Sequence, residues 1–181
     1  MSGHSKWAKI KRAKGAEDQK KGKIFSMLVK TITVEVKRAG GDRNSPGVRK
    51  AIERARAANM PNENIERAVK NAAGTGSANL EEVVYEAYGP GGTALILEGI
   101  TDNRNRSSQE IKFLLSKHNA SLAAPGSASW AFQKNPEGAW QPQTPVELEE
   151  ADAQRLATLL DALEENEDIK NIYHNAAGFE E

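Results

Sequence analysis

The hydrophobic period of this chain changes once, and that change limits what it can fold into. Up to Gly74 the apolar residues recur at helical spacing, and beyond Gly74-Thr-Gly-Ser-Ala-Asn79 they alternate as in strands. Two periods imply two kinds of layer. The glycine- and serine-containing composition of residues 75–80 therefore reads as a linker between two domains.

In the first half, Phe25, Leu28, Val29, Ile32 and Val36 give one apolar helix face that ends at Gly40-Gly41, while Lys23, Lys30 and Lys37 repeat every seventh residue on another face. A second helix starts near Ser45-Pro46, with Val48, Ile52 and Ala55 inward and Arg49, Lys50, Arg54 and Arg56 outward. Asn62, after Pro61, reads as the cap of a third helix that buries Ile65, Val69 and Ala72. Residues 25–74 are thus expected to form a three-helix bundle. Ahead of it, residues 1–24 hold eight basic residues, few apolar ones and Gly3, Gly15 and Gly22, the composition of a basic mobile arm.

In the second half, Val83 to Tyr88 and Thr93 to Ile100 read as two strands joined by the turn Gly89-Pro90-Gly91-Gly92. Thr101-Asp102-Asn103 offers caps for a helix carrying Ile111, Leu114 and Leu115. Ser127 to Gln133 reads as a strand with Trp130 and Phe132 on one face, and Val146 to Leu148 as a short one. A helix marked by Leu156, Leu159, Leu160 and Leu163 and a last strand from Ile169 to Tyr173 follow. The expected class is α+β: a basic arm and a three-helix bundle, then over residues 81–181 a ferredoxin-like (split βαβ) α/β sandwich domain with its sheet covered on one face. The C-terminal segment should complete the sheet begun at Val83.

A net charge of zero conceals a segregation. Residues 1–74 hold 18 Lys and Arg against 7 Asp and Glu, a surplus of 11 positive charges that the remaining residues cancel. One end built to meet a polyanion gives this asymmetry, and so does a solvated basic helical surface; charge alone does not choose. The run Gly3-His4-Ser5-Lys6-Trp7 continuing through Lys9, Lys11, Arg12 and Lys14 adds an aromatic ring to the cations. Lysine and arginine displace counterions from phosphates, and an exposed indole stacks on an unpaired base; the other reading folds Trp7 back onto the bundle. Lys20, Lys21, Lys23, Lys30, Arg49, Lys50 and Arg54 extend the basic surface into the helices. At the strand-to-helix junction, Asn103, Arg104 and Arg106 either contact a phosphate beside open amide groups or serve as a helix cap with solvated arginines.

Enzymatic chemistry has little to stand on. His4, His118 and His174 have no partner at metal-ligand spacing, no nucleophile-elbow, kinase-like or zinc-hydrolase pattern occurs, and the Gly89-Pro90-Gly91-Gly92 run lacks the Gly-Lys-Ser/Thr ending of a phosphate loop. No catalytic residue, metal, cofactor or small-molecule substrate is expected. With no cysteine, thiolate sites and disulfides are excluded. No apolar run is long enough for a membrane span, and the basic N-terminus lacks the apolar core of a secretory signal, so the expected location is cytoplasmic. Nothing heptad-like points to a dimer, and a monomer is expected.

Six motifs in order give a resemblance: Gly3-His4-Ser5-Lys6-Trp7, Met60-Pro61 leading into Asn64 to Ala68, Tyr85 to Gly92, Thr101 to Arg104, Gly126-Ser127 through Trp130 and Phe132, and Ile172 to Asn175. Together they closely resemble the YebC/PmpR family, whose mitochondrial members include a translational activator of cytochrome oxidase. The resemblance implies a helical N-terminal domain, α/β domains after it, nucleic-acid binding and no catalytic activity. Members act either as DNA-binding transcriptional regulators or on the ribosome, binding large-subunit RNA and easing stalling at sequences such as proline runs. It also implies that Gly3 to Trp7 and the lysines after them contact ribosomal RNA. The chain departs from the pattern by lacking most of a third domain usually inserted after the strand ending near Gln133. Smaller departures are Asp42-Arg43-Asn44-Ser45 and Ala123-Ala124.

Two functions therefore stand side by side. A DNA-binding regulator needs a recognition helix, and the third helix supplies Arg67, Lys70 and Asn71 as readers. A mobile arm of lysines around a tryptophan suits irregular or single-stranded RNA better, so an RNA- and ribosome-binding translation factor is the expectation and DNA the alternative.

Overall fold

A computed structural model of the chain describes residues 17–74 and 79–178. The described chain forms two compact units. One holds Glu17–Val83 with Ile100–Arg104, and the other holds Val84–Gly99 with the chain from Asn105 onward.

The helical unit is built on α1 (Glu17–Arg38), α2 (Pro46–Ala57) and α3 (Asn62–Ala73). Helix α1 begins eight residues before Phe25, so residues 17–24, read above as part of an arm, are helical. One glycine in a helix costs about 1 kcal/mol, which Gly22 does not recover from packing but strong helix formers around it offset. The helix stops where Gly40 and Gly41 take φ of 61° and 89°, and the Gly41 N–H donates to the Val36 carbonyl at 2.9 Å. Ser45 caps α2, its Oγ accepting from the Val48 N–H at 3.4 Å. Helix α3 instead has Pro61 at its cap position, and Asn62 is already helical without a side-chain cap bond. Proline fixes φ near its helical value and leaves Asn62 no capping role there.

The bundle core joins Ile32 and Val36 of α1 to Val48, Ile52 and Ala55 of α2 and to Ile65, Val69 and Ala72 of α3. The single apolar face expected for α1 is only half of its burial. Met27 and Val34, on its other side, pack with Leu80 and Ile100. That second face is why Leu80 and Ile100 group with the helical unit, while residues 75–78 of the expected linker lie outside the described residues.

Those strands are β1 (Glu81–Tyr88) and β2 (Ala94–Thr101), joined through the tight Gly89–Thr93 turn. After β2 come α4 (Arg104–Lys117), β3 (Ser121–Ala123), β4 (Phe132–Lys134), β5 (Trp140–Pro142), α5 (Glu150–Glu164) and β6 (Ile169–His174). The main sheet has the order β3-β1-β2-β6, with β3 antiparallel to β1 and β6 antiparallel to β2. The tight turn makes β1 and β2 antiparallel too, so β2-α4-β3 is a split βαβ unit with β1 lying inside it. The arrangement therefore shares the split βαβ unit of a ferredoxin-like sandwich, but it opens with the β1-β2 hairpin at the centre of the sheet. The C-terminal strand pairs Ile96 with Tyr173 and Leu97 with Ile172, completing the sheet begun at β1.

Alternation sends Ala87, Leu95, Leu97 and Ile169 toward α4 and α5, where they meet Ile111, Leu115, Leu156, Leu159 and Leu163. The other face, expected to be open, is covered as well: Tyr88, Ala94, Ile96 and Tyr173 pack against Ala128, Ala131, Phe132 and Trp140. The strand read over Ser127 to Gln133 is a 3-10 turn, Ser129–Ala131, followed by β4. The turn rotates successive side chains instead of alternating them, so Phe132 is 7% exposed and Trp130 62%. Strand β4 pairs with β5 in a separate two-stranded sheet around a turn closed by Asn135, whose Oδ1 accepts from the N–H groups of Glu137 and Ala139 at 3.0 and 2.9 Å. Val146 makes a single parallel bridge to Ala176 in place of the short strand expected there, since Pro145 before it has no N–H to extend a ladder. No helix among the described residues is long and apolar enough to cross a membrane.

Candidate nucleic-acid interface

Gly3, His4, Ser5, Lys6, Trp7, Lys9, Lys11, Arg12 and Lys14 lie outside the described residues. Among the remaining cations of the helical unit, two sets stand out. In the first, each side chain is tied inside the unit. Arg38 donates to Glu35 at 2.7 Å and to Glu82 at 2.6 Å, Arg43 grips Glu66 with both terminal nitrogens, and Arg104 donates to Glu81 at 3.0 Å. Hydrogen bonding and the charge of Arg43 hold the Glu66 carboxyl below its usual range. Lys30, expected on a solvated face, is half-buried and donates to the Ile100 carbonyl at 3.4 Å, because it borders the second buried face of α1. Lys23 is half-buried on the same helix.

The second set is Arg49, Lys50 and Arg54 on α2, with Lys20 and Lys21 at the start of α1. All five are exposed, and none has an ion pair among the described residues. The pattern of α2 produces this directly: Val48, Ala51, Ile52 and Ala55 turn inward, which leaves the intervening cations outside.

At the α4 junction, the Thr101 Oγ1 accepts from the Asn103 N–H at 3.1 Å. Arg104 is held by Glu81, and within the other unit Arg106 bridges Glu110 at 3.2 Å and the buried Asp168 at 3.0 Å. The arginines thus have protein carboxylates where a phosphate was one of two expected occupants. Breaking the Arg106–Asp168 pair to admit an anion would strand a buried charge. Among the described residues no cluster of three His, Asp or Glu side chains is placed to hold a metal ion.

Sequence reasoning missed a polar network on the sheet face opposite the helices. Glu86 accepts backbone N–H bonds from Gly126, Ala128 and Ser129 at 2.7, 2.6 and 2.9 Å. Partial burial pushes its carboxyl up, yet these donors together hold it below the usual carboxylate range. Tyr88 donates to the Ser127 carbonyl, and the Trp130 indole N–H donates to the Tyr88 hydroxyl at 3.0 Å. Glu98 accepts from the Trp140 indole at 3.0 Å and from Asn171 at 3.0 Å, while Lys134 lies 4.5 Å above the Trp140 ring. The available signal was the strand period, which puts Glu86 and Tyr88 on the face opposite Ala87.

This is an α+β chain with a helical unit whose α2 face carries open positive charge. The chain belongs to the TACO1/YebC family: residues 5–75 match the TACO1/YebC protein N-terminal domain, and residues 80–137 and 135–176 match the TACO1/YebC second and third domain. A probable transcriptional regulatory protein of Thermoanaerobacter pseudethanolicus is 38% identical over 237 positions, covering 97% of this chain and 96% of the relative. Those positions outnumber the 181 residues here, so the relative carries internal residues without a counterpart in this shorter form. A probable transcriptional regulatory protein of Chloroherpeton thalassium is 54% identical over 136 residues, covering 74% of this chain and 54% of that relative. The fold matches the crystal structure of a conserved hypothetical protein from Aquifex aeolicus, with a TM-score of 0.81 and 31% identity over 94% of this chain and 96% of the other.

Proposed function

We propose that this chain is a non-enzymatic, nucleic-acid-binding regulator of gene expression, acting in the cytoplasm as an RNA- and ribosome-binding translation factor that eases stalling, for example at proline runs. The observation that carries the reading is the sorting of cations. Arg38, Arg43 and Arg104 are each matched to a carboxylate, whereas Arg49, Lys50 and Arg54 face outward on α2 with no ion pair among the described residues. Unmatched guanidinium and ammonium groups on one helix suit a phosphate backbone, where each contact releases counterions. The basic run from Lys6 to Lys14 adds to the same footprint.

The relatives' names, which say transcriptional regulatory protein, favour a second reading in which the nucleic acid is DNA. Against it, α3 offers few readers, and the Arg67 guanidinium donates at 2.8 Å to Asn64 of its own helix. A base-reading arginine needs its fork open.

Replacing Arg49, Lys50 and Arg54 together by Ala tests the reading. Single-stranded RNA binding should weaken for all sequences alike, and its salt dependence should flatten by about 0.7 log units per lost phosphate contact. Sedimentation of the native protein with ribosomes, abolished by nuclease, supports the translation reading. Sequence-selective duplex DNA binding with no ribosome association supports the second. Unchanged affinity for both nucleic acids in the triple variant removes α2 from the interface.

A further inference from the structure

We infer that Trp130 is a stacking platform for one unpaired base of single-stranded RNA, a second contact carried by the α/β unit; this rests on the nucleic-acid reading above. A large aromatic side chain left in water forgoes about 1.5–3 kcal/mol of burial. Phe132, two residues on, takes that burial at 7% exposure, while Trp130 stays 62% exposed.

The exposed ring is held in place. Its N–H donates to Tyr88 Oη at 3.0 Å, and Tyr88 is anchored through its own hydroxyl to the Ser127 carbonyl. The backbone beneath it is pinned by Glu86, which takes the N–H groups of Gly126, Ala128 and Ser129. Two consequences follow. The ring's one polar group is already used, so what it offers a ligand is a flat π surface. Because ring and loop are ordered beforehand, a ligand that lies on them incurs little ordering cost.

The surroundings favour a base over a protein side chain. Protein hot spots sit within apolar surroundings that exclude water. Among the described residues of this unit, the other exposed large apolar side chains are Val84 and Phe113. Phe113 is on α4, across the sheet from Trp130, and Val84 is four residues before Tyr88 on β1. One isolated, rigid ring matches one base, whose stacking tolerates any sequence. The carboxylate that binds this loop, Glu86, is occupied by three N–H donors, and no cation bonds to the loop among the described residues, so the contact should add affinity without adding salt dependence.

The full chain labelled with 5-fluorotryptophan gives one fluorine signal for each of its three tryptophans, assigned by Trp→Phe variants. Titration with a short unstructured oligoribonucleotide should shift the Trp130 signal, and an abasic oligonucleotide of equal length and charge should not. Trp130→Ala should weaken binding of the base-bearing RNA by roughly 5- to 150-fold with an unchanged salt slope, and Trp130→Phe should recover part of the loss. If RNA binds while the Trp130 signal stays still and Trp130→Ala binds as tightly as the parent, the inference is overturned and the reading of α2 stands. If the chain binds no RNA, both fall. A lowered melting temperature in Trp130→Ala with unchanged affinity makes the ring structural and also overturns it.

Discussion

The core of the three-helix bundle is apolar, and the two buried threonines of α1 bond to their own helix, Thr31 to the Met27 carbonyl and Thr33 to the Val29 carbonyl. In the α/β unit, buried and half-buried polar side chains hold separate pieces of chain together. Asn175, 2% exposed, accepts from the Ala94 N–H at 2.8 Å and donates to the Thr144 carbonyl at 2.6 Å, and Glu86 gathers three amides of one loop. The difference follows from backbone bookkeeping. A helix satisfies its own amides, whereas strand ends and loops over a sheet leave amides that side chains must complete. Shape specifies the first unit, and directional bonds specify much of the second.

Core substitutions break that comparison most severely. Ile65→Ala in the bundle and Asn175→Ala in the sheet should each lose about 3 kcal/mol, one from a cavity and one from unpaired amides, read by urea denaturation. The apolar swaps separate the causes. Ile65→Leu should cost under about 1.5 kcal/mol, while Asn175→Leu should cost at least as much as Asn175→Ala. A tolerated Asn175→Leu would mean that packing rules both units.

A methyl group added at a glycine sharpens the contrast at a smaller scale. Gly91 has φ of 66°, and a Cβ there would lie 2.3 Å from Leu148 Cδ2, so Gly91→Ala should cost about 2 kcal/mol. At Gly47 the Cβ would meet Glu35 Oε2 at 2.1 Å, but that atom ends a flexible side chain. Gly47→Ala should therefore change thermal stability by less than about 1 kcal/mol. Equal losses would contradict the view that the helical unit yields where the sheet unit does not.

The acid response should differ more subtly. Because its donors hold Glu86 below its ordinary value of 4.5, the stabilisation it gives is present above that pH and is lost as pH falls through the lower folded-state value. Glu86→Gln should cost about 1 kcal/mol at neutral pH, the low end for charged bonds because the site is partly exposed, and should flatten the acid limb of a pH-stability curve. Glu66→Gln, which removes a solvated partner of Arg43, should leave the neutral-pH melting curve where it is. A larger shift from Glu66 than from Glu86 reverses the ranking of the two units.

Much of this architecture was legible from period alone. The faces of α2 and α3, the hairpin strands β1 and β2, the leucine helix α5 and the closing strand β6 all follow regular spacing. Period failed where burial was two-sided or local. Met27 and Val34 lie off the apolar face that spacing marks on α1, and their partners, Leu80 and Ile100, are remote in sequence. Strand β3 is three residues long, too short to alternate visibly, and Trp130 with Phe132 looked like one strand face because a 3-10 turn leaves no mark in composition. Among the candidate contacts, exposure of the α2 cations could be read from the helix pattern. The engagement of Lys30, Arg104 and Arg106 could not, since it depends on groups up to 70 residues away.

The turn closed by Asn135 carries a consequence for how chains of this kind change length. The two matched segments of the second and third domain meet at residues 135–137, at the tip of the β4-β5 hairpin. Paired strands leave the unit side by side, about 5 Å apart. Any module whose own ends lie that close can be spliced into the tip or cut out of it, and Phe132 and Trp140 keep packing against each other at 6.4 Å across the base. The hairpin works as a socket: what is plugged into it changes the reach of the protein, and an empty socket leaves the wall behind it intact.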